Sequence, residues 1–567
     1  MRALAQAFPF NVRRTLVVCL VSVGTILSGA QAAAPSPSPS AAAAAAAAAV
    51  SIASASLAAA TESQTTTPLA GYAIVAQDHT ALRAGPRDST PIQAVLWQGD
   101  ALEVRGQRLD YLQVYDHRRE RAGYVRASQV RTMRLRAEDA PELLSILRFV
   151  RDLPGSEALG LAYSAAYLKA APAGTNTAEA WDAMGQMAER LAARATSRQA
   201  NPILTSTVSA TTVPTAADTR LAGQLEGLSA YGIKLTSLER DTGVQLCYDG
   251  EAFSRVLGQA ANPEQRARAV LGLTRHDCTD PAATPTALYQ RDLARAKLLD
   301  QSLSANDWAR LSPTLKNRLQ LRRAGVLAAL AHAHSRRLLG TETAADATAL
   351  LQAAQNAVSA LAAVNKLELT DEDQADYQVA ALRVGASLWA SVLPPLPHAV
   401  PAKPGSLGTR PTITTRAGQP GETCVALIDT RQPTKPLHER CTYGTVWTAS
   451  ASVNAAGTAV ALAVQPLATW RELWVYRKTT DGWVLDVLPP GVNKPEIGYV
   501  EHAGWVPGTD QLLLAREVLS EGRFKRNFEV LKLGDLSVDK QASAPSLLSG
   551  FSKGQSASWK ALTVSLR

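Results

Sequence analysis

The sequence predicts a multidomain α+β protein with a small β-barrel, a mostly α-helical middle domain and a C-terminal antiparallel β region. Three observations carry this expectation. Over residues 72–130, short stretches with alternating apolar positions are separated by turn residues. Residues 135–393 instead place apolar side chains at helical spacing. Beyond the proline-rich stretch PPLPHAVPAKPGSLGTRP, residues 394–411, the two-residue period returns. A chain of 567 residues is too long for one core, and 46% apolar with 19% charged residues describes a folded protein.

The N-terminus reads as an export signal over residues 1–32. Arg2, Arg13 and Arg14 supply a positive start, TLVVCLVSVGTILSG is the apolar run, and Ala30-Gln31-Ala32 offers small-x-small cleavage. Cys19 lies within that run and lacks the small-residue context of a lipid-anchored cysteine. Residues 33–68 are a disordered linker rich in Ala, Ser and Pro. Its uncharged poly-alanine stretch, interrupted by Ser51, Ser54 and Ser56, is a tether rather than a membrane span. The expected location is the periplasm or the exterior, with membrane contact only through an uncleaved signal. The net charge of +9 contains no block of five or six like charges, so nucleic-acid binding is not indicated.

Removal of the signal leaves Cys247, Cys278, Cys424 and Cys441. An even count in an oxidising compartment predicts two disulfides, paired in sequence order as Cys247–Cys278 and Cys424–Cys441. A zinc set built on Cys424, His438 and Cys441 lacks a fourth ligand at sensible spacing. No metal and no cofactor are expected.

Residues 69–134 carry the barrel. Leu102 and Val104 alternate with Ala101, Glu103 and Arg105, between Gly99-Asp100 and Gly106. Leu112, Val114 and Tyr115 begin another strand, DHRRER makes a hairpin loop, and AGYVRASQV closes the unit. Ala81-Leu82-Arg83-Ala84-Gly85-Pro86, Leu96-Trp97-Gln98-Gly99-Asp100, Asp110-Tyr111-Leu112-Gln113-Val114 and Gly123-Tyr124-Val125 resemble the bacterial SH3-like domain of cell-envelope proteins. Tyr111 and Tyr124 stand where that family usually has tryptophan. The resemblance implies a compact β-barrel that binds cell-wall peptides or mediates assembly. Trp97, Tyr111, Tyr115 and Tyr124 are the aromatics that either line a groove or fill so small a core. Arg118, Arg119 and Arg121 are candidates to meet carboxylates or phosphates, against a simple solvated loop.

In the middle domain, 135–393, a helix starts at Ala140-Pro141-Glu142 with Leu143, Leu144, Leu147 and Val150 on one face. Asp249 is the expected N-cap of a helix burying Phe253, Val256 and Leu257. Asn262-Pro263-Glu264-Gln265 reads as a capping box that opens the next helix. Ser312-Pro313 begins a long helix carrying Leu315, Leu319, Val326, Leu327 and Leu330, which ends near Gly340. Another helix runs through Leu350, Leu351, Ala354, Val358 and Leu361, and Thr370 caps one more, with acids in its first turn. A Cys247–Cys278 bond would clip the hairpin of the two short helices. His332 and His334, two apart on a helix, point to opposite sides and share no metal face. Asp241, Asp249 and Glu251 are acids around a turn.

The C-terminal region, 412–567, is expected to be a propeller-like or sandwich sheet: it contains two weakly similar units of turn, strand, loop and strand, the pattern of a propeller blade or meander. One runs from Val453-Asn454 through AVALAV, RELWVYRK and GWVLDVLPP. The other runs from Val506-Pro507-Gly508-Thr509 through QLLLAR, NFEVLKL and LSVDKQASAP, with Leu462 aligned on Leu512. GWVPGTDQLLLAREV resembles TolB-type β-propeller repeats through Trp505 and Gly508, although the region is too short for a closed ring. Trp470, Trp474 and Trp483 are expected in sheet packing, against an aromatic strip for peptide or glycan.

No His-Glu-x-x-His or CxxC motif is present, and no catalytic residue is assigned. The expected function is a non-catalytic envelope protein that docks on peptidoglycan or a protein partner. The alternative is an envelope hydrolase built on carboxylates and targeted by the barrel. A third expectation is a homo-oligomer whose β region is completed by a second copy.

Overall fold

The computed structural model describes residues 71–200, 215–240, 243–337, 344–391, 411–492, 497–520, 522–557 and 559–560. The expected signal with Cys19, the linker at 33–68, most of the proline-rich segment 394–411, Asp241 and Gly340 lie outside the described residues. The fold is mixed, with 42% helix and 33% strand and mostly antiparallel pairing. Among the described residues no helix is long and apolar enough to cross a membrane.

A seven-stranded antiparallel sheet comes first among the described residues: β1 Gly71–Val75, β2 Thr80–Arg83, β3 Ile92–Leu96, β4 Ala101–Arg108, β5 Tyr111–Asp116, β6 Arg121–Arg126 and β7 Val130–Met133, in the order β3-β2-β6-β5-β4-β1-β7. The alternation in β4 is physical: Leu102 and Val104 are buried while Ala101 and Arg105 face water. They join Leu82, Leu96, Leu112, Val114 and Val125 in one core. Asp116 pairs with Arg121 across the hairpin that DHRRER forms.

Helices follow: α1 Ala140–Val150, α2 Glu157–Ala170, α3 Ala178–Ala200 and α4 Ala216–Gly227. In α1, Leu143, Leu147 and Val150 are buried and Leu144 is half-buried, so the helical stripe faces α2 and α3. Each such fully buried side chain contributes about 1.5–3 kcal/mol of transfer free energy. A two-stranded hairpin, β8 Leu235–Arg240 and β9 Gly243–Tyr248, then leads to α5 Glu251–Leu257 and α6 Pro263–Leu273. The start of α5 corrects the expected cap. Gly250, at φ +84°, occupies the cap position, because the chain turns there through the left-handed region, which costs a side-chain-bearing residue energy. Asp249 instead accepts from the Glu251 N–H one step further on. The α6 capping box forms as expected, with Asn262 and Gln265 bonding each other's backbone N–H.

The remaining helices are α7 Pro285–Gln301, α8 Ala305–Arg310, α9 Pro313–Arg337, α10 Ala344–Ala362 and α11 Asp371–Ala386. Leu319, Val326, Leu327 and Leu330 of α9 are buried against α7, α10 and α11, and Leu315 packs on their rim. Thr370 caps α11 by accepting from the Asp373 N–H. His332 and His334 are both buried.

Three β layers complete the chain. The first is β10 Pro411–Ala417, β11 Thr423–Asp429 and β12 Gln432–Thr442. The second is β13 Thr445–Val453, β14 Ala459–Leu467, β15 Trp470–Thr479 and β16 Gly482–Leu488. The third is β17 Ile497–Trp505, β18 Gln511–Ser520, β19 Arg523–Lys532 and β20 Val538–Ala542. The second and third are joined by a short parallel pairing of β15 with β17. Val460, Leu462, Trp474 and Tyr476 of the second layer pack on Val425 and Leu427 of the first. Its opposite face, with Ala461, Leu473 and Val475, packs on Leu512, Leu514 and Leu531 of the third. The outer face of the third is covered by Phe551 of α12 Ser549–Gly554 and by Trp559. Trp470 and Trp474 are buried and Trp483 is half-buried against the first layer's core.

The two four-stranded units share a turn. The Asn454 N–H donates to Ala459 O, and the Val506 N–H to Gln511 O. Gly457 and Gly508 each take positive φ within that turn. Strand pairing sets Val453 opposite Val460 and Trp505 opposite Leu512. Leu512 therefore corresponds to Val460 rather than to Leu462. A two-residue shift preserves the face, so composition alone did not reveal the offset.

Both cysteine pairs lie at disulfide distance. Cys247 on β9 meets Cys278 after α6, with Cα atoms 5.7 Å apart, and Cys424 meets Cys441 directly across β11 and β12 at 3.8 Å. Glu422 lies beside the second pair. His438 is three residues from Cys441 on the same strand, hence on the opposite face, where its ring meets Tyr476. The zinc set considered above therefore does not gather.

Candidate functional site

The structure separates the aromatic and arginine candidates of the first sheet. Trp97 is 6% exposed, and its indole lies against Gly223 of α4, where a Cβ would stand 2.2 Å from Trp97 Cδ1. Tyr111 is 2% exposed; its hydroxyl donates to Asp88, whose carboxyl also receives Arg126. The Arg126 hydrogen bond and then the Tyr111 one hold Asp88 down at about 2. Tyr115 is half-buried under the Arg105 guanidinium, 4.0 Å from the ring centroid, and half-buried Tyr124 faces Gln113 and Arg83 across the strands.

Arg118 and Arg119 are committed internally. Both reach Asp100 Oδ2, at 3.2 and 3.3 Å, and Arg119 also pairs with Asp116 at 2.6 Å. Arg118 Nη1 donates to Gly223 O, so the loop docks on α4 rather than standing in solvent. Burial pushes Asp100 up against the pull of the two arginines. Arg121 is exposed and donates to Gln93 O.

The first sheet forms one wall of a 440 Å³ groove, with α2 and Tyr231 as the other. Ile74, Leu102, Ala162 and Ala166 are apolar lining residues. Polar groups of both signs also line it: Glu103 with His117 at 2.7 Å, and Lys169 over the half-exposed ring of Tyr72 at 5.3 Å. An apolar lining with the Glu103 carboxylate and the Lys169 ammonium among its polar groups can hold a peptide's side chains and its charged ends together. Of the seven candidate residues above, Arg118 alone lines this groove.

A second cavity, of 540 Å³, is walled by α3, α6, α9, α11 and the segment before Cys278. Five arginines and five carboxylates line it. Arg318 pairs with buried Asp373 at 2.6 Å, and Arg275 bridges Glu189 and Asp277. Arg268, on the wall, forks onto buried Asp182 behind it with contacts of 2.7–3.2 Å. Burial pushes Glu189 up. Asp277 feels burial too, but the hydrogen bond and charge of Arg275 outweigh it and hold the carboxyl down. Burial likewise lowers Arg322 to about 10, although Asp277 and Glu189 oppose the shift.

Sequence reasoning missed this cavity. Arg318 and Arg322 one turn apart on α9, and Asp373 and Asp376 one turn apart on α11, were the local signals. Nothing in the sequence said that these faces meet. No protein-family model, curated protein or solved structure matches this chain.

Proposed function

We propose that this is a non-catalytic, exported envelope protein, periplasmic or secreted, that docks on peptidoglycan or an envelope protein through the Gly71–Met133 sheet. On this reading the sheet is an SH3-like barrel, and the three C-terminal layers are blades of an incomplete TolB-type array. The observation that carries the docking is the groove beside β1 and β4, whose apolar lining and Lys169 ammonium suit a short peptide with free carboxylates. The two cysteine pairs support the oxidising compartment. The shared turn of the two four-stranded units, with face-to-face layers, supports the repeat reading. The test is sedimentation of the signal-free chain with purified peptidoglycan sacculi and with crosslinked envelope extract. The expected result is co-sedimentation that Tyr72→Ala with Lys169→Ala reduces at least fivefold. A chain that stays wholly in the supernatant and crosslinks to no envelope partner rules docking out.

One observation favours the hydrolase as a second reading. Glu189 and Asp277 flank Arg275 in the 540 Å³ cavity with carboxyls displaced in opposite directions, the arrangement of a general acid and an ionised partner. On that reading Glu189 donates the proton to a glycosidic oxygen. Zymography on cell-wall material would then show a cleared band that Glu189→Gln abolishes. Absence of clearing by the unmodified chain removes the reading.

A further inference from the structure

Behind the cavity of Glu189 and Asp277 lies another, of 240 Å³, between α7, α9 and α11, sharing His276 and Arg383 with it. The His276 ring fits because residue 325 on α9 is glycine; a Cβ there would stand 2.4 Å from Nε2. Four arginines line this smaller space, Arg291, Arg295, Arg336 and Arg383, against one carboxylate, Asp292. Asp292 is already used: Arg291 and Arg295 both hold its Oδ1 at 3.1 Å. Arg295 further donates to the carbonyls of Arg275 and Cys278.

Arg336 and Arg383 have no such partner. Arg336 Nη1 and Arg383 Nε are buried and make no hydrogen bond among the described residues. Neither guanidinium forms an ion pair there, and the acids that act on Arg383, Asp292 and Asp277, do so only through space. His276 and His332 on the same wall add no negative charge. A cavity that gathers cationic forks from three helices and leaves a buried donor on two of them unanswered is unfavourable when empty, because a buried donor needs a partner.

We propose that this cavity binds a phosphate group, free or as a small monoester. The forks come from α7, α9 and α11, so acceptors are needed in several directions, which a tetrahedral oxyanion offers and a planar carboxylate does not. The volume admits the anion with a few waters or a short ester substituent. The inference is independent of the docking reading, which concerns a different sheet and groove.

Equilibrium dialysis of the full signal-free chain against inorganic phosphate, glycerol 3-phosphate and succinate tests it, together with thermal unfolding in each. The expected result is one phosphate bound per chain, a rise in Tm with phosphate, and at least tenfold weaker binding of succinate. Tighter binding of the ester would assign the source as a phosphomonoester; tighter binding of inorganic phosphate would assign the free ion. Arg383→Met and Arg336→Met should weaken phosphate at least tenfold, and Arg383→Met should raise the Tm of the ligand-free chain by removing an unanswered charge. Should a methionine variant fail to fold, Arg383→Lys, which keeps the charge and loses the fork, should still weaken phosphate severalfold. No phosphate or ester bound by the unmodified chain at millimolar concentration, equal binding of succinate, or binding unchanged in the variants would each overturn the proposal.

Discussion

Replacing Glu501 with alanine should lower the unfolding free energy by about 3–5 kcal/mol, because it strips a buried cation of its carboxylate. Arg471 is fully buried and its Nη2 lies 3.1 Å from Glu501 Oε1. Glu501 Oε2 accepts from the Trp559 indole N–H at 2.8 Å, so the same residue fastens the C-terminal cover of the third layer. The penalty of the single change falls on the buried charge that remains. Replacing both residues, as Arg471→Met with Glu501→Leu, removes the charge with its partner and should cost much less than the single change. Chemical denaturation of the single and double variants checks this. A single Glu501→Ala loss below 1 kcal/mol would mean that the pair is solvated and the layers are looser than described.

Stability should also fall steeply as pH drops from 7 to 5. Burial lowers His332 and His502 to about 4, with Arg336 adding to the effect at His332 and backbone hydrogen bonds opposing it at both. Burial also takes His276 well below its usual value, with Arg383 and Arg322 nearby. The unfolded chain binds these protons near pH 6.5 and the folded chain does not. The stabilisation is therefore complete above the unfolded value and is lost as pH falls toward the folded one. For His332 and His502 the loss between pH 7 and pH 5 is about 2 kcal/mol each. His332→Asn should flatten the stability profile over that interval by about that amount, as followed by Tm or denaturant midpoint. A profile equally steep in the variant would remove His332 from the account.

Much of the local structure was legible. The capping box at Asn262, the cap at Thr370, the stripe of α1 and the alternation in β4 depend on side chains within a few residues of one another. Their geometry is set by helix and strand periods, so the sequence specifies them directly. Asp249 was misjudged within the same short range, because the sequence shows a good capping residue but not the left-handed turn at Gly250 that displaces it.

The sites were much less legible. Trp97 and Tyr111 are aromatic either way; only their contacts with Gly223 of α4 and with Asp88 decide that one is packed and the other anchored. Arg118 and Arg119 look like a solvated loop until Asp100, buried beneath them, is seen. The arginine-lined cavities draw on α3, α6, α7, α9 and α11, whose facing sides are fixed by crossing geometry rather than by spacing along the chain.

What the sequence alone determined is therefore the mixed class, the succession of β, α and β regions, the caps at Asn262 and Thr370 and the cysteine partners. These follow from composition, period and short-range hydrogen bonding. What only the tertiary structure decided is which charges meet. The energy of an ion pair depends on a few ångströms of separation and on how much water has been excluded, and neither quantity exists until distant segments have packed.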